Sequence, residues 1–419
     1  MRLSAVLAAA ALLPPLWASP ARAQRLLTWE DCVSIAIQKN PDIRASRSAV
    51  EQQNASYKGS WNGVMPSASL TNSYTDQSNS SPKWTGGVTA TLDLFDWARI
   101  TNIRSQKSLL NQTRASLSDT SASLRFSLRQ AFAQVLFAER SLEVSRNIRD
   151  LRDRGARLVT LRYNSGRESK GNMLRAQAQL AQAEADLSQA TRNLRADQKV
   201  LDRQLGLDSF EAVAATGTLT VPDAPPAPTD SDEQGYLARR PDIRLQQAVL
   251  RSAELSVASA KSSLFPSLSA TYARNRIGPN EFPNQGYNWV GGLTLSLPLF
   301  SAGPTATYYA VQSARRGLER AREDLRSVRD SAIVDLEQAW ASYAGSVDQV
   351  RVQHALLAAA RQRNDEADVR YASGLLTYDN WEIIATDRIN NERQAVNAEL
   401  NAAVAQAGWD RSLGKELGE

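Results

Sequence analysis

Cysteine occurs once in this chain, at Cys32, and histidine once, at His354. One cysteine excludes a disulfide framework within the chain. One histidine without cysteine partners leaves no zinc site and no histidine-based catalytic triad at credible spacing. No GxxxxGK[ST] stretch is present, so there is no phosphate loop with which to use a nucleotide. Carboxylates are numerous, but they fall on periodic stretches that read as solvated helix faces. Proline is missing from two long intervals, between Pro82 and Pro222 and after Pro304. Apolar runs are short: past residue 23 none approaches the roughly 18 residues of a membrane-spanning helix. These absences argue against an enzyme and imply neither cofactor nor metal centre.

The N-terminus is the exception. MRLSAVLAAAALLPPLWASPARA joins an early Arg2 to an apolar run and to small residues at Ala21 and Ala23. It reads as a secretory signal cut before Gln24. Cys32 lies beyond that cut, out of place for a lipoprotein's lipid, and is expected as a small buried residue of TWEDCVSIAIQKN. Losing Arg2 and Arg22 with the leader lowers the formal charge from +5 to +3, which gives no argument for a nucleic-acid partner.

What the chain has is repetition. NPDIRASRSAVEQQNASYKGSWNGVMPS from Asn40 returns as RPDIRLQQAVLRSAELSVASAKSSLFPS from Arg240. GGVTATLDLF at Gly86 returns as GGLTLSLPLF at Gly291, a shift of 205. RYNSG at Arg162 returns as RYASG at Arg370, and Leu205-Gly206 as Leu413-Gly414, both shifted by 208. Constant order with a slowly drifting shift is what tandem duplication leaves.

Each copy contains a proline-free interval rich in Ala, Gln, Leu, Arg and Glu, all good helix formers. Leu110, Leu117, Leu124, Leu128, Ala131, Val135 and Leu142 step by threes, fours and sevens, a narrow coiled-coil-like seam. Helical pattern from Ala98 to Arg162 implies a length on the order of 100 Å. A turn at Gly166 then sends a second helix back to about Leu205, and Gly374 marks the equivalent turn. Helices alone would also fit an extended coiled-coil rod.

Two segments of period two precede each hairpin. Ala68, Leu70 and Tyr74 alternate with Ser67, Ser69, Thr71 and Ser73; Trp84, Val88, Ala90, Leu92 and Leu94 alternate with Thr85, Thr89, Thr91 and Asp93. Leu268, Ala270 and Tyr272 against Ser267, Ser269 and Thr271, then Trp289, Leu293, Leu295 and Leu297 against Thr294 and Ser296, repeat the pattern. One apolar and one small polar face fits a lipid-facing barrel strand. A soluble hairpin packed on a core is the alternative, and four concordant segments in a secreted chain favour the membrane. Lipid tolerates no open sheet edge, and four strands are too few for the smallest barrel, which needs about eight. Copies of the chain must therefore share one barrel. Two would give a filled interior; three would give twelve strands and room for a passage.

The leader, LTWEDCVSIAIQKNPDI, RRPDI, the PSL strand starts, LPLF and the paired RYxSG turns together resemble the TolC-like outer-membrane efflux proteins (outer membrane factors) over essentially the whole mature chain. The resemblance implies a mainly α fold with a small transmembrane β part. A homotrimeric 12-stranded β-barrel would cross the outer membrane of a Gram-negative bacterium and continue as an α-helical barrel through the periplasm. It implies a passive exit duct for efflux or type I secretion, served by a periplasmic adaptor and, indirectly, an inner-membrane pump of the ABC or RND type. The expected organisation is a signal peptide at 1–23, a first repeat at 24–221, a proline-rich equatorial linker at 222–235 and a second repeat at 236–419. Strands are expected near 67–75, 84–95, 267–275 and 288–299, and long hairpins near 98–205 and 304–413. The competing reading is a periplasmic adaptor or tethering coiled coil without a channel. Adaptors, however, typically carry one hairpin and not two duplicated ones.

In such proteins the hairpin turns form a periplasmic mouth, narrowed by a ring of carboxylates. The resemblance places the turn tyrosines at Tyr163 and Tyr371 and the adaptor-docking turn glycines at Gly166 and Gly374. The pattern YxxGxxxxxDVLD departs here into YASGLLTYDNWEI, so its two Asp positions fall on Asn380 and Ile383, with Asp379 and Glu382 one step away. One step turns a helical side chain by about 100°. The usual basic gate position is Leu376. The residues themselves suggest another lock: Arg149 to Arg175 holds eight basic and three acidic residues, and Arg363 to Arg388 three basic and six acidic. Arg162, Arg167 or Lys170 pairing with Asp379 or Glu382 across neighbouring hairpins would hold the mouth shut.

Overall fold

The protein is described from a computed structural model covering residues 25–78, 80–207, 213–219, 222–283, 286–298 and 305–418. The leader at 1–23 and the last strand residues expected at Leu299 lie outside the described residues. The chain opens with β1 (Arg25–Leu27), α1 (Trp29–Lys39) and α2 (Pro41–Ser60), followed by a 3-10 turn at Trp61–Val64. Strands β2 (Ser67–Gln77) and β3 (Ser80–Asp96) lead into α3 (Trp97–Asn164) and α4 (Lys170–Leu205). After β4 (Val213–Ala215) and α5 (Asp230–Arg239) the plan repeats as α6 (Pro241–Ser262), β5 (Ser267–Gly278), β6 (Asn288–Ser296), α7 (Ala306–Ala372) and α8 (Tyr378–Ser412). Helices α3 and α7 run for 68 and 67 residues, α4 and α8 for 36 and 35, so the copies match in length. Because α5 starts at Asp230, the proline-rich segment becomes helical before 235.

Helix ends explain why particular words recur. Thr28 and Asp31 form a reciprocal capping box on α1. Asn40 caps α2 by accepting from the amides of Asp42 and Ile43, with Pro41 in the first helical turn, where its missing N–H costs nothing. The Asn40 amide also donates to the Gln204 carbonyl at 2.8 Å, tying α2 to the end of α4. Gly206 ends α4 at φ +70, and a Cβ there would stand 2.5 Å from the Lys39 carbonyl oxygen. The second copy brings Gly414, at φ +77, equally against Arg240. Arg240 stands where Asn40 does, and donates to the Ala332 carbonyl and to Asp242 and Asp335. The PDI and LG words are thus two sides of one joint, made twice.

Strands β2, β3, β5 and β6 form one antiparallel sheet in that order, leaving β2 and β6 as edges. Paired residues share a face, so the register sorts the side chains. Leu70 opposes Val88, Ala90 opposes Tyr272, and Ala270 opposes Leu293 on one face. On the other, Ser69 opposes Thr89, Thr91 opposes Thr271, and Ser269 opposes Thr294. One shift, between Asp93 and Phe95, puts Phe95 rather than Leu94 opposite Leu268, so the alternation expected through Leu94 ends in a bulge where β3 meets α3. Strands β1 and β4 pair in parallel at the flank of α3. Around them Leu27, Cys32, Phe132, Val135, Leu201 and Val213 close a small core. The sequence shows no period for three-residue strands.

Candidate functional site

Both hairpins end in the same backbone device. At the first turn Gly166, at φ +71, donates to the Tyr163 carbonyl and Arg167 to the Arg162 carbonyl. At the second, Gly374, at φ +80, donates to the Tyr371 carbonyl and Leu375 to the Arg370 carbonyl. These paired bonds satisfy carbonyls at the ends of α3 and α7, and a left-handed residue there favours glycine. The Ser169 hydroxyl then caps α4 through the Asn172 amide.

Side chains, in contrast, lock around the second turn. Tyr371 is fully buried and stacks on Trp381 with ring centroids 4.8 Å apart. The Arg162 guanidinium lies 4.7 Å from the Tyr371 ring centroid and donates to the Tyr371 carbonyl at 2.6 Å. Tyr371 donates its hydroxyl to Glu168 at 2.9 Å, and Glu168 also accepts from Asn172 and from the Ser169 amide. Burial raises the Glu168 pKa, but these hydrogen bonds and Arg162 outweigh it and hold the carboxyl below its ordinary value. Trp381 donates to Asp368 at 2.6 Å. Room for its ring is made by Gly155 of α3, where a Cβ would stand 2.8 Å from the indole.

Glu382, the next residue along α8, is buried. Arg152 donates to both its oxygens at 3.0 and 2.8 Å, Gln179 to one at 2.7 Å, and Thr386 to the same one at 2.8 Å. A buried carboxylate so surrounded joins α3, α4 and α8 within one protomer. Tyr378, beside it, has its pKa pushed up to about 12, first by burial and then by Glu382.

The residues singled out from sequence therefore separate into two groups. Tyr371 and Glu382 are brought into the buried network. Asp379 and Asn380 stay exposed on the first turn of α8, and Asp379 lies 3.7 Å from Arg175 in a solvent-screened pair. Arg167 and Lys170 are exposed and make no ion pair among the described residues; Tyr163 is half-buried. Arg162 meets Tyr371 rather than Asp379 or Glu382 inside the protomer. Leu376 packs on the tip cluster. Sequence reasoning missed Arg152, Gly155, Glu168, Gln179, Asp368 and Trp381. Charge asymmetry between the tips was the available signal for Arg152, and a tryptophan in the acidic turn was the signal for Trp381.

Comparison with known proteins fixes the family. Its model, described as outer membrane efflux protein, matches residues 32–207 and 234–415, both copies of the repeat. The chain belongs to the outer membrane efflux protein family. It is 21% identical over 359 residues to the cobalt-zinc-cadmium resistance protein CzcC of Cupriavidus metallidurans, covering 86% of this chain and 83% of that protein. It is 31% identical over 184 residues to the pyoverdine export outer membrane protein OpmQ of Pseudomonas aeruginosa, covering 42% of this chain and 37% of that one. In fold it matches the Campylobacter jejuni CmeC outer membrane channel with a TM-score of 0.82 at 16% identity, covering 93% of this chain and 87% of that one.

As a member of this family the protein resides in the outer membrane and has the TolC-like fold, which sets aside the adaptor or tether reading. Among the described residues no helix is long and apolar enough to cross a membrane. The sheet takes that role. Leu70 and Leu293 are 81% and 72% exposed, and Leu295 and Trp289 lie open on the same face. Such a face belongs against lipid, leaving the Ser and Thr face inward.

Proposed function

We propose that this protein is the outer-membrane exit channel of an export assembly, working as a homotrimer that passively conducts substrate received from an inner-membrane pump through a periplasmic adaptor. The open edges of the four-stranded sheet, β2 and β6, carry this reading. Each unpaired backbone group costs several kcal/mol in hydrocarbon, so edge must meet edge of another copy. Three copies close twelve strands, and the small polar inner face suits a wet lumen. CzcC is named for cobalt-zinc-cadmium resistance and OpmQ for pyoverdine export, and the export named for OpmQ supports this reading. The mass of the detergent-solubilised assembly tests the reading: three copies are expected, with conductance in planar bilayers, and a monomer or a non-conducting dimer overturns it.

At the mouth, Glu382 is neutralised inside the protomer by Arg152, so the constricting ring falls to Asp379, with Asn380 beside it. Arg167 and Lys170, which make no ion pair among the described residues, are the cations available to the Asp379 of a neighbouring hairpin. Exposed pairs contribute only about 0–1 kcal/mol each, but threefold symmetry repeats the bias. Asp379→Ala and Arg167→Ala should each raise the closed-state conductance; unchanged current sinks the lock. The adaptor would dock at the turns of Gly166 and Gly374, where Leu375 is 80% exposed. Thiol crosslinking from Leu375→Cys should capture it.

A further inference from the structure

The apolar face of the sheet is interrupted at one place. Arg274 and Arg276, two residues apart on β5, point to the same side as Leu268, Ala270 and Tyr272. The register sets Arg274 between Val88 and Trp289 and puts Arg276 opposite Gly86. All the long helices lie at the other end of the sheet, so the chain enters β5 from the periplasmic side. At 3.3 Å per residue and a tilt near 40°, the two arginines sit about 18 and 23 Å above that rim, near the top of an apolar band about 25 Å tall.

Among the described residues no carboxylate is within ion-pair distance of either guanidinium, and the Arg276 Nε is buried without a hydrogen-bond partner. Instead both pack on Tyr287, at 3.8 and 3.9 Å from its ring centroid. The segment after β5 folds back over this same face: Asn72 donates to the Glu281 carbonyl at 2.7 Å, and Pro283 lies 3.5 Å from where a Gly86 Cβ would stand. Both guanidiniums are thereby held against one ring at the outer edge of the lipid-facing wall. The cost of a cation on that wall falls from the midplane towards the headgroups, so a guanidinium is tolerated at this height, where anionic headgroups lie within its reach. The planar fork of a guanidinium matches phosphate oxygens in geometry as well as charge.

We infer that Arg274, Arg276 and Tyr287 form a binding site for the phosphate of a phosphorylated glycolipid in the outer leaflet. This rests on the trimeric barrel described above. Its test uses the purified trimer in mixed micelles, with retained lipid counted by native mass spectrometry. The probes are bisphosphorylated lipid A, the same lipid without phosphates, and phosphatidylglycerol. The bisphosphorylated form should be retained, the dephosphorylated form should not, and Arg274→Gln/Arg276→Gln should weaken retention about tenfold or more. Lys83→Gln, which alters a cation on the polar face opposite Thr75, should bind as the wild type does. Equal retention by the double variant, or of the dephosphorylated lipid, overturns the site; equal retention of phosphatidylglycerol overturns the glycolipid as its occupant. Should the double variant fail to trimerise, the headgroup comparison on the wild-type trimer decides alone. A wild-type protein that does not trimerise would instead count against the channel reading.

Discussion

At the first hairpin turn Tyr163 is half-buried, whereas its counterpart 208 positions later, Tyr371, is sealed and stacked on Trp381. By the same shift Trp381 corresponds to Met173, Glu382 to Leu174 and Gly155 to Arg363. The backbones nevertheless close alike, each with a positive-φ glycine and two hydrogen bonds. Duplication kept what each copy needs separately, the turn. It diverged where the copies meet, because in a pair of packed hairpins one must supply the ring and the other the notch.

Removing Arg152 should disturb this asymmetry most. Arg152→Ala leaves Glu382 buried and uncompensated, a loss of about 3–5 kcal/mol, read as faster amide hydrogen exchange over the first turns of α8. Exchange as slow as in the wild type would mean that the pair does not hold the tip. Trp381→Ala should cost about 3 kcal/mol through lost burial, or roughly a hundredfold in exchange rate, while Met173→Ala should cost clearly less. If the two were equal, the turns would be energetic equals and the contrast would vanish. Tyr371→Phe removes only the hydroxyl bond to Glu168 and should cost about 1 kcal/mol.

Acidity should separate the regions more gently. The Glu168 carboxyl is held below its ordinary pKa, so its contribution is complete above the ordinary carboxylate range and is lost as pH falls through the lowered value. Glu139, beside β4, is shifted the other way by burial, so its contribution grows as pH falls through its raised value. Titrating exchange towards acid should therefore loosen the tip before the region of β4, and Glu168→Gln should remove that order. Arg175→Ala is expected to do least, within about 1 kcal/mol, since its pair with Asp379 is exposed.

Much of this architecture could be read from the residues because its signals are local. Gly166 and Gly374 announce turns, proline-free intervals announce long helices, and Ser-Leu-Thr alternation announces strands. The tip network could not be read that way. Arg152 and Glu382 stand 230 positions apart, and either is indistinguishable in sequence from a solvated helix charge. The tips' opposite charge balance gave the sign of the attraction but not the partners. Leu94 misled because a bulge breaks period two without any mark in composition.

Cys32 has a practical consequence. The thiol is wholly enclosed beside β1, and burial pushes its pKa up to about 12, so at neutral pH it presents almost no thiolate to a maleimide or an oxidant. A fluorophore or spin probe attached through one introduced cysteine should therefore report from that position alone, in the native background.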